Sequence, residues 1–128
     1  MNNTALQKLI LVIDDSPEIL VLDRILLEAE GHKVLTCTSA DEAFTILEDN
    51  TPDLIILDYQ LGDMKGDEFI HQFEEQRPDL FALCPIVFHS GMDNLPLSKT
   101  LGHIPKFSDA SFFVQEVHRY LQMRTYQK

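Results

Sequence analysis

Apolar residues in this chain come in short unbroken runs, separated by stretches with a helical period. Leu9 to Ile13 is one such run, Leu54 to Leu57 a second, and Pro85-Ile86-Val87-Phe88 a third. Runs this short, bounded by turn residues, read as strands covered on both faces. Val34-Leu35-Thr36-Cys37 is β-rich and reads as a further strand. Between them lie helical patterns. Ser16-Pro17-Glu18 has the form of a helix start: a capping serine, proline at the first helical position and an acid in the first turn. Ile19, Leu22, Leu26 and Ala29 then recur at helical spacing as the inward face, and Gly31 stops the helix. Ser39 and Glu42 form a capping box ahead of Ala43, Phe44, Ile46 and Leu47. A loop through Gly62 and Gly66 leads to a third helix with Phe69, Ile70 and Phe73 inward and Pro78 beyond its end. From Ser108 onward, Phe112, Phe113, Val114, Val117, Tyr120 and Leu121 mark a last amphipathic helix.

Strands alternating with helices predict an α/β fold with a parallel sheet and helices on both faces. The number of βα units suits a doubly wound, flavodoxin-like five-stranded sheet in the order 2-1-3-4-5. In that order the first, third and fourth strands are neighbours. Their carboxyl ends carry Asp14 and Asp15, Asp58, and Ser90 after His89. Ligands of open α/β sheets bind outside this edge, so three separate stretches converge on one crevice.

Composition narrows the partners. The 128 residues form one domain, 1–128, with a core of about 9–121. Ten basic and 21 acidic residues give a net charge of −11 and the pI is near 4.6. That balance argues against non-specific nucleic-acid binding and anionic membranes, and suits cations or basic partner surfaces. Cys37 and Cys84 make no disulfide framework and no metal-ligand spacing, as expected of reduced, buried thiols in a cytoplasm. No apolar run reaches bilayer length, and Met1 to Lys8 lacks the form of a signal peptide.

Carboxylates crowded at a strand edge repel by about 1 kcal/mol per close pair in water and several times that at a protein rim. Proteins relieve this with a shifted pKa or a bound cation. Hard oxygen donors with room left for water suit Mg²⁺. Asp15 is assigned as the direct ligand, Asp14 as a water-mediated one, and Asp58 as ligand and phosphate-accepting nucleophile. The main-chain carbonyl of Gln60 is a further oxygen. Ser90 as hydroxyl donor and Lys106 as cation would complete a phosphoryl cage, with room beside Gly91 for the phosphate. Lys65 and Lys99 are rivals for the cation.

Asp-Asp after the first strand, Asp after the third, Ser after the fourth and Lys near the end resembles the receiver domain of bacterial two-component response regulators. The likeness spans Leu9 to Leu121, and Leu57 to Gly66 is similar to the family's segment from the acceptor aspartate to a glycine. It implies that Asp58 accepts a phosphoryl group from a sensor histidine kinase or phosphotransfer protein. It also implies Mg²⁺ at Asp14, Asp15 and Asp58, with Ser90 and Lys106 on the phosphoryl oxygens. Such a chain is a switch for a further output partner, with only self-catalysed phosphotransfer and hydrolysis, and a homodimer is compatible with it.

The last third departs from that pattern. Ser90 to Lys106 is 16 positions, too few for a helix, a strand and two connections of ordinary length. The fourth helix, between the fourth and fifth strands, is therefore expected to be lost or cut to one turn. The fifth strand is expected as a stub around His103 to Pro105. Gly62 stands where a proline is usual, which would make that loop more mobile. Pro105-Lys106 reverses the usual Lys-Pro and puts the usual cis peptide in doubt. The family's switch aromatic would fall on His103, which otherwise reads as a surface-loop histidine. The shortened region motivates an alternative, a degenerate receiver that docks partners without phosphorylation. A small Mg²⁺-dependent aspartyl-phosphate phosphatase would want Asp at 60, where Gln stands. A hydrolase built on His89 and Ser90 lacks the Gly-x-Ser-x-Gly elbow.

Overall fold

The computed structural model describes residues 7–126; part of the polar opening stretch, residues 1–6, lies outside the described residues. The order is β1 (Leu9–Ile13), α1 (Pro17–Ala29), β2 (Lys33–Cys37), α2 (Ala40–Asp49), β3 (Leu54–Leu57), α3 (Gly66–Gln76), α4 (Pro78–Leu83), β4 (Ile86–Ser90), β5 (Gly102–Pro105) and α5 (Ala110–Tyr126). The five strands form one sheet in the order β2-β1-β3-β4-β5, and every neighbouring pair is parallel. This is the flavodoxin-like order that the strand and helix alternation predicts.

Period-two alternation sends the strand residues to two apolar layers. Leu11, Ile13, Ile55, Leu57, Ile86 and Phe88 pack with α2, α3 and α4 through Leu47, Phe69, Phe73 and Leu80. Ile10, Val12, Leu54, Ile56, Val87 and Ile104 pack with α1 and α5 through Leu20, Leu27, Phe113 and Val117. Residues 54–57 of β3 are fully buried, as a central strand covered on both faces must be. Both cysteines are buried, and burial pushes the Cys37 thiol up to about 12.

The caps behave largely as read. Ser16 Oγ accepts from Ile19 N–H at 3.4 Å with Pro17 opening α1. Ser39 Oγ accepts from Glu42 N–H at 3.2 Å, while Glu42 Oε1 turns to Thr38 N–H at 2.8 Å rather than to Ser39. Gly31 ends α1 at φ 93°, a conformation glycine adopts without penalty.

The inward face of α1 differs from the sequence expectation. Leu20, Asp23 and Leu27 are buried, Ile19 and Leu26 are half-buried, and Leu22 and Ala29 are exposed. The helix is apolar nearly all round, so helical spacing fits two faces equally. Asp23 made the true inner face look polar. Residues 78–83 form the short helix α4, with Pro78 at its first position, which the sequence reading passed over. Phe112 points outward while Phe113 enters the core. Between β4 and β5 there is no helix, only a turn closed by Thr100 N–H to Leu97 O at 2.9 Å. β5 is four residues long, as the short spacing predicts.

Truncating the two leucines separates the faces. Leu27→Ala is expected to cost about 2–5 kcal/mol as a core deletion, and Leu22→Ala to stay within about 0.5 kcal/mol as a surface change. Urea unfolding of both variants measures the contrast.

Candidate functional site: an acidic crevice with a lysine across it

Chain direction and sheet order place the crevice at the carboxyl ends of β1, β3 and β4. Asp14 and Asp58 are the first residues past their strands. Each is anchored through its own N–H, Asp14 on Cys37 O at 3.1 Å and Asp58 on Ile13 O at 2.9 Å. Both side chains are buried, while Asp15 is exposed. Carboxylate oxygens of Asp14, Asp15 and Asp58 lie within 4.8 Å of one another. Asp14 Oδ1 accepts from Ser16 N–H at 2.9 Å, and Asp58 Oδ1 accepts from Gln60 N–H at 3.4 Å.

Lys106 closes the other side. Its Nζ stands 2.8 Å from Asp14 Oδ2 and 3.1 Å from Asp58 Oδ2. The contact with Asp14 is a close ion pair without hydrogen-bond alignment, so this buried oxygen has no well-aligned donor. Burial, and next the charge of Asp14, raise the Asp58 carboxyl above its ordinary value, against the pull of Lys106. Burial by itself would lower the Lys106 ammonium, but contact with Asp14 and Asp58 raises it overall. The rivals lie elsewhere: Lys99 pairs with Glu74, and Lys65 is exposed at the start of α3.

Ser90 ends β4 and is buried, its Oγ accepting from Met92 N–H at 3.1 Å. Its carbonyl accepts from Lys106 N–H at 3.1 Å and lies 2.9 Å from His103 Nε2. His103 is thus a half-buried β5 residue holding the end of β4, not a surface-loop histidine. Strand pairing aims Lys106: Ser90 stands opposite Pro105, and the described residues contain no cis peptide bond. The space beside Gly91 is taken by the Phe107 ring, which a Cβ there would meet at 2.8 Å. The loop after Asp58 is pinned despite Gly62. Leu61 is buried, Gly66 N–H bonds Tyr59 O, and Asp63 Oδ1 accepts from Ala40 N–H at 3.2 Å.

One polar pair near the crevice escaped the sequence reading. His89 Nδ1 lies 3.3 Å from Asp23 Oδ2, both buried, with Phe113 against the His89 ring. His89 therefore faces α1 and α5, on the other side of the sheet from Phe88, and makes no dyad with Ser90. Separated by 66 positions, neither residue signals the other in the sequence.

Fold and crevice together define the class: a flavodoxin-like α/β chain with an acidic cluster at the edge of its central strands. The chain belongs to the response regulator receiver domain family, whose model matches residues 10–101. It is 34% identical over 97 residues to the alkaline phosphatase synthesis transcriptional regulatory protein PhoP of Bacillus subtilis, covering 76% of this chain and 38% of that one. It is 41% identical over 78 residues to the phosphate regulon transcriptional regulatory protein PhoB of Rhizobium meliloti, covering 61% and 34%. This chain therefore spans well under half the length of these relatives. A CheY-like receiver domain structure from Methanospirillum hungatei superposes with a TM-score of 0.82 at 23% identity, covering 95% of this chain and 99% of that one. Receiver domains in general bind Mg²⁺ at an acidic pocket and are not catalytic enzymes, and this chain carries such a cluster. No helix among the described residues is long and apolar enough to cross a membrane.

A raised carboxyl pKa means that the folded state holds the proton more tightly than the unfolded one. The resulting stability is complete below the ordinary value of 3.8 and is lost as pH rises through the raised folded value. Asp58→Asn in metal-free buffer is therefore expected to raise the melting temperature by a few degrees at neutral pH. The gain should vanish as pH falls toward 3.8; calorimetry across that range checks both.

Proposed function

We propose that this chain is a phosphoacceptor receiver in which Asp58 takes a phosphoryl group from the phosphohistidine of a sensor histidine kinase or phosphotransfer protein. The supporting observation is the cluster of Asp14, Asp15 and Asp58 oxygens within 4.8 Å, with Lys106 Nζ on two of the three acids. An Asp58 oxygen attacks phosphorus in line. The phosphorus–nitrogen bond breaks and its electron pair returns to the imidazole. Lys106 and the Ser90 hydroxyl are the cation and donor for the phosphoryl oxygens. The donor set fits Mg²⁺: hard oxygens from Asp14, Asp15, Asp58 and the Gln60 carbonyl, with one buried carboxylate oxygen lacking an aligned donor. When bound, Mg²⁺ supplies the positive charge that offsets the carboxylates and the incoming phosphoryl group. Asp15, the exposed acid, would be the direct ligand and Asp14 would act through water. Lys106 is then free to leave the carboxylates for a phosphoryl oxygen.

The phosphodonor has an apolar landing place. Val21, Leu22 and Ile25 are 59%, 49% and 59% exposed on α1, the helix that begins just after Asp15. Such a stripe beside a polar site fits an amphipathic helix of a partner. Residues 9–121 are read as the core of one receiver domain working in the cytoplasm, whose output passes to a separate partner surface. Beyond transfer to Asp58 and hydrolysis of the aspartyl phosphate, no turnover is expected.

The helix-free connection from β4 to β5 favours a second reading, a docking module that works without phosphorylation. Mg²⁺ with beryllofluoride separates the two. Wild-type protein is expected to bind the pair, read by amide shifts around residues 14, 58 and 90, and Asp58→Asn to lose binding. Absence of binding in the wild type favours the docking module. Asp15→Ala is expected to weaken Mg²⁺ by more than the roughly 10–100-fold that loss of an outer-shell partner costs. Unchanged affinity by calorimetry refutes that ligand assignment.

A further inference from the structure

Two histidines meet at the end of the sheet opposite the crevice. His32 lies in the turn from α1 to β2, just before the first residue of β2, and His118 lies on α5. Their Nε2 atoms are 3.1 Å apart, with the rings edge to face at a centroid distance of 5.3 Å. His32 is buried at 8% exposure and His118 is half-buried. Lys8 N–H donates to His32 Nδ1 at 3.2 Å.

That third contact settles where the protons sit. A neutral imidazole has one N–H and one lone pair. Because His32 Nδ1 accepts from Lys8, its proton is on Nε2. This N–H then donates to Nε2 of His118, whose own proton is on Nδ1. The relay from Lys8 through His32 to His118 runs in one direction and has no place for another proton. A proton added to His32 Nδ1 opposes the Lys8 N–H. A proton added to His118 Nε2 opposes the His32 N–H.

We infer that His32 and His118 form a proton-released clasp, which ties α5 to the α1–β2 corner while both rings are neutral and loosens when the pair takes up a proton. Three other groups bear on it. Glu30 Oε1, at the end of α1, is 3.9 Å from His118 Nε2 and stands ready for that ring once it is cationic. Burial, and next the neighbouring His118, hold His32 below its ordinary value of 6.5. Lys8 adds to this, and Glu30 and Asp53 oppose it. For a histidine held low, the stabilisation is complete above 6.5 and is lost as pH falls through the folded value. The clasp is therefore closed at neutral pH and opens on mild acidification, the range where histidine switches operate.

The position gives the clasp a lever. α5 begins four residues after Lys106, so the crevice holds one end of this helix and His118 holds it further along. Opening the clasp loosens α5 around His118, where Val117, Tyr120 and Leu121 still hold it to the sheet, without touching the acids. A metal ion would need lone pairs on both Nε2 atoms, and the Lys8 contact keeps a proton on one of them. The pair is thus built for a proton rather than a transition metal.

Imidazole ¹⁵N spectra and amide hydrogen exchange of the whole chain test this. His32 is expected as the Nε2–H tautomer, titrating below 6.5. Amides of α5 around His118, corrected for intrinsic chemistry, are expected to exchange about tenfold faster near pH 5.5 than near pH 7.5, with β3 amides unchanged. His118→Gln keeps an acceptor that does not titrate and is expected to remove most of that pH dependence; His118→Leu provides a second, apolar comparison. An Nδ1–H tautomer for His32, titration at or above 6.5, or the same pH dependence in wild type and both variants overturns the clasp. Stoichiometric Zn²⁺ near pH 7.5 is expected to leave the His32 resonances in place, and their displacement overturns the proton assignment.

Discussion

Two buried carboxylates of like charge stand at the edge of this sheet with one ammonium between them. Asp14 and Asp58 are carried there by the parallel pairing of β1 and β3, which leaves no freedom to separate them. Each close pair of like charges costs about 4 kcal/mol at the effective dielectric of a protein surface. Lys106 offsets that cost, while burial first and the charge of Asp14 next still hold the Asp58 carboxyl above its ordinary value. Further positive charge lowers the energy of a cluster in this condition. The proposed Mg²⁺ and phosphoryl chemistry is one way of using that stored repulsion.

The geometry around Lys106 explains how a shortened chain keeps its cation. The connection from β4 to β5 lacks a helix, yet β5 still pairs with β4 over four residues. The pair Ser90 and Pro105, with Lys106 N–H on the Ser90 carbonyl, sets where the lysine leaves the sheet. Strand register therefore does the positioning, and the residues between are free to vary. His103 on the same carbonyl links β5 to the serine that ends β4.

Polar pairs also interrupt the layer that joins α1 and α5 to the sheet. Asp23 with His89 lies behind the crevice, and His32 with His118 lies at the far end. Both contain histidine and both span separate elements, so polar contacts as well as apolar packing join α1, β4 and α5. Replacing such pairs with apolar residues often costs a protein nothing in stability.

Run length, caps and chain order were enough to read the alternation of elements, the sheet order, the missing helix and the three strand ends that meet. These depend on local periodicity and on chirality rules that leave few topologies open. The residues Asp14, Asp15, Asp58, Ser90 and Lys106 could be nominated because strand ends are set by those same local signals. The inner face of α1 could not, since a helix apolar nearly all round has little period to choose by, and the charge of Asp23 masks the buried side. Nor could the histidine pairs, whose members are 66 and 86 positions apart. Partners that distant are chosen only when helices pack on the sheet, because what selects them is the burial of two polar side chains against each other.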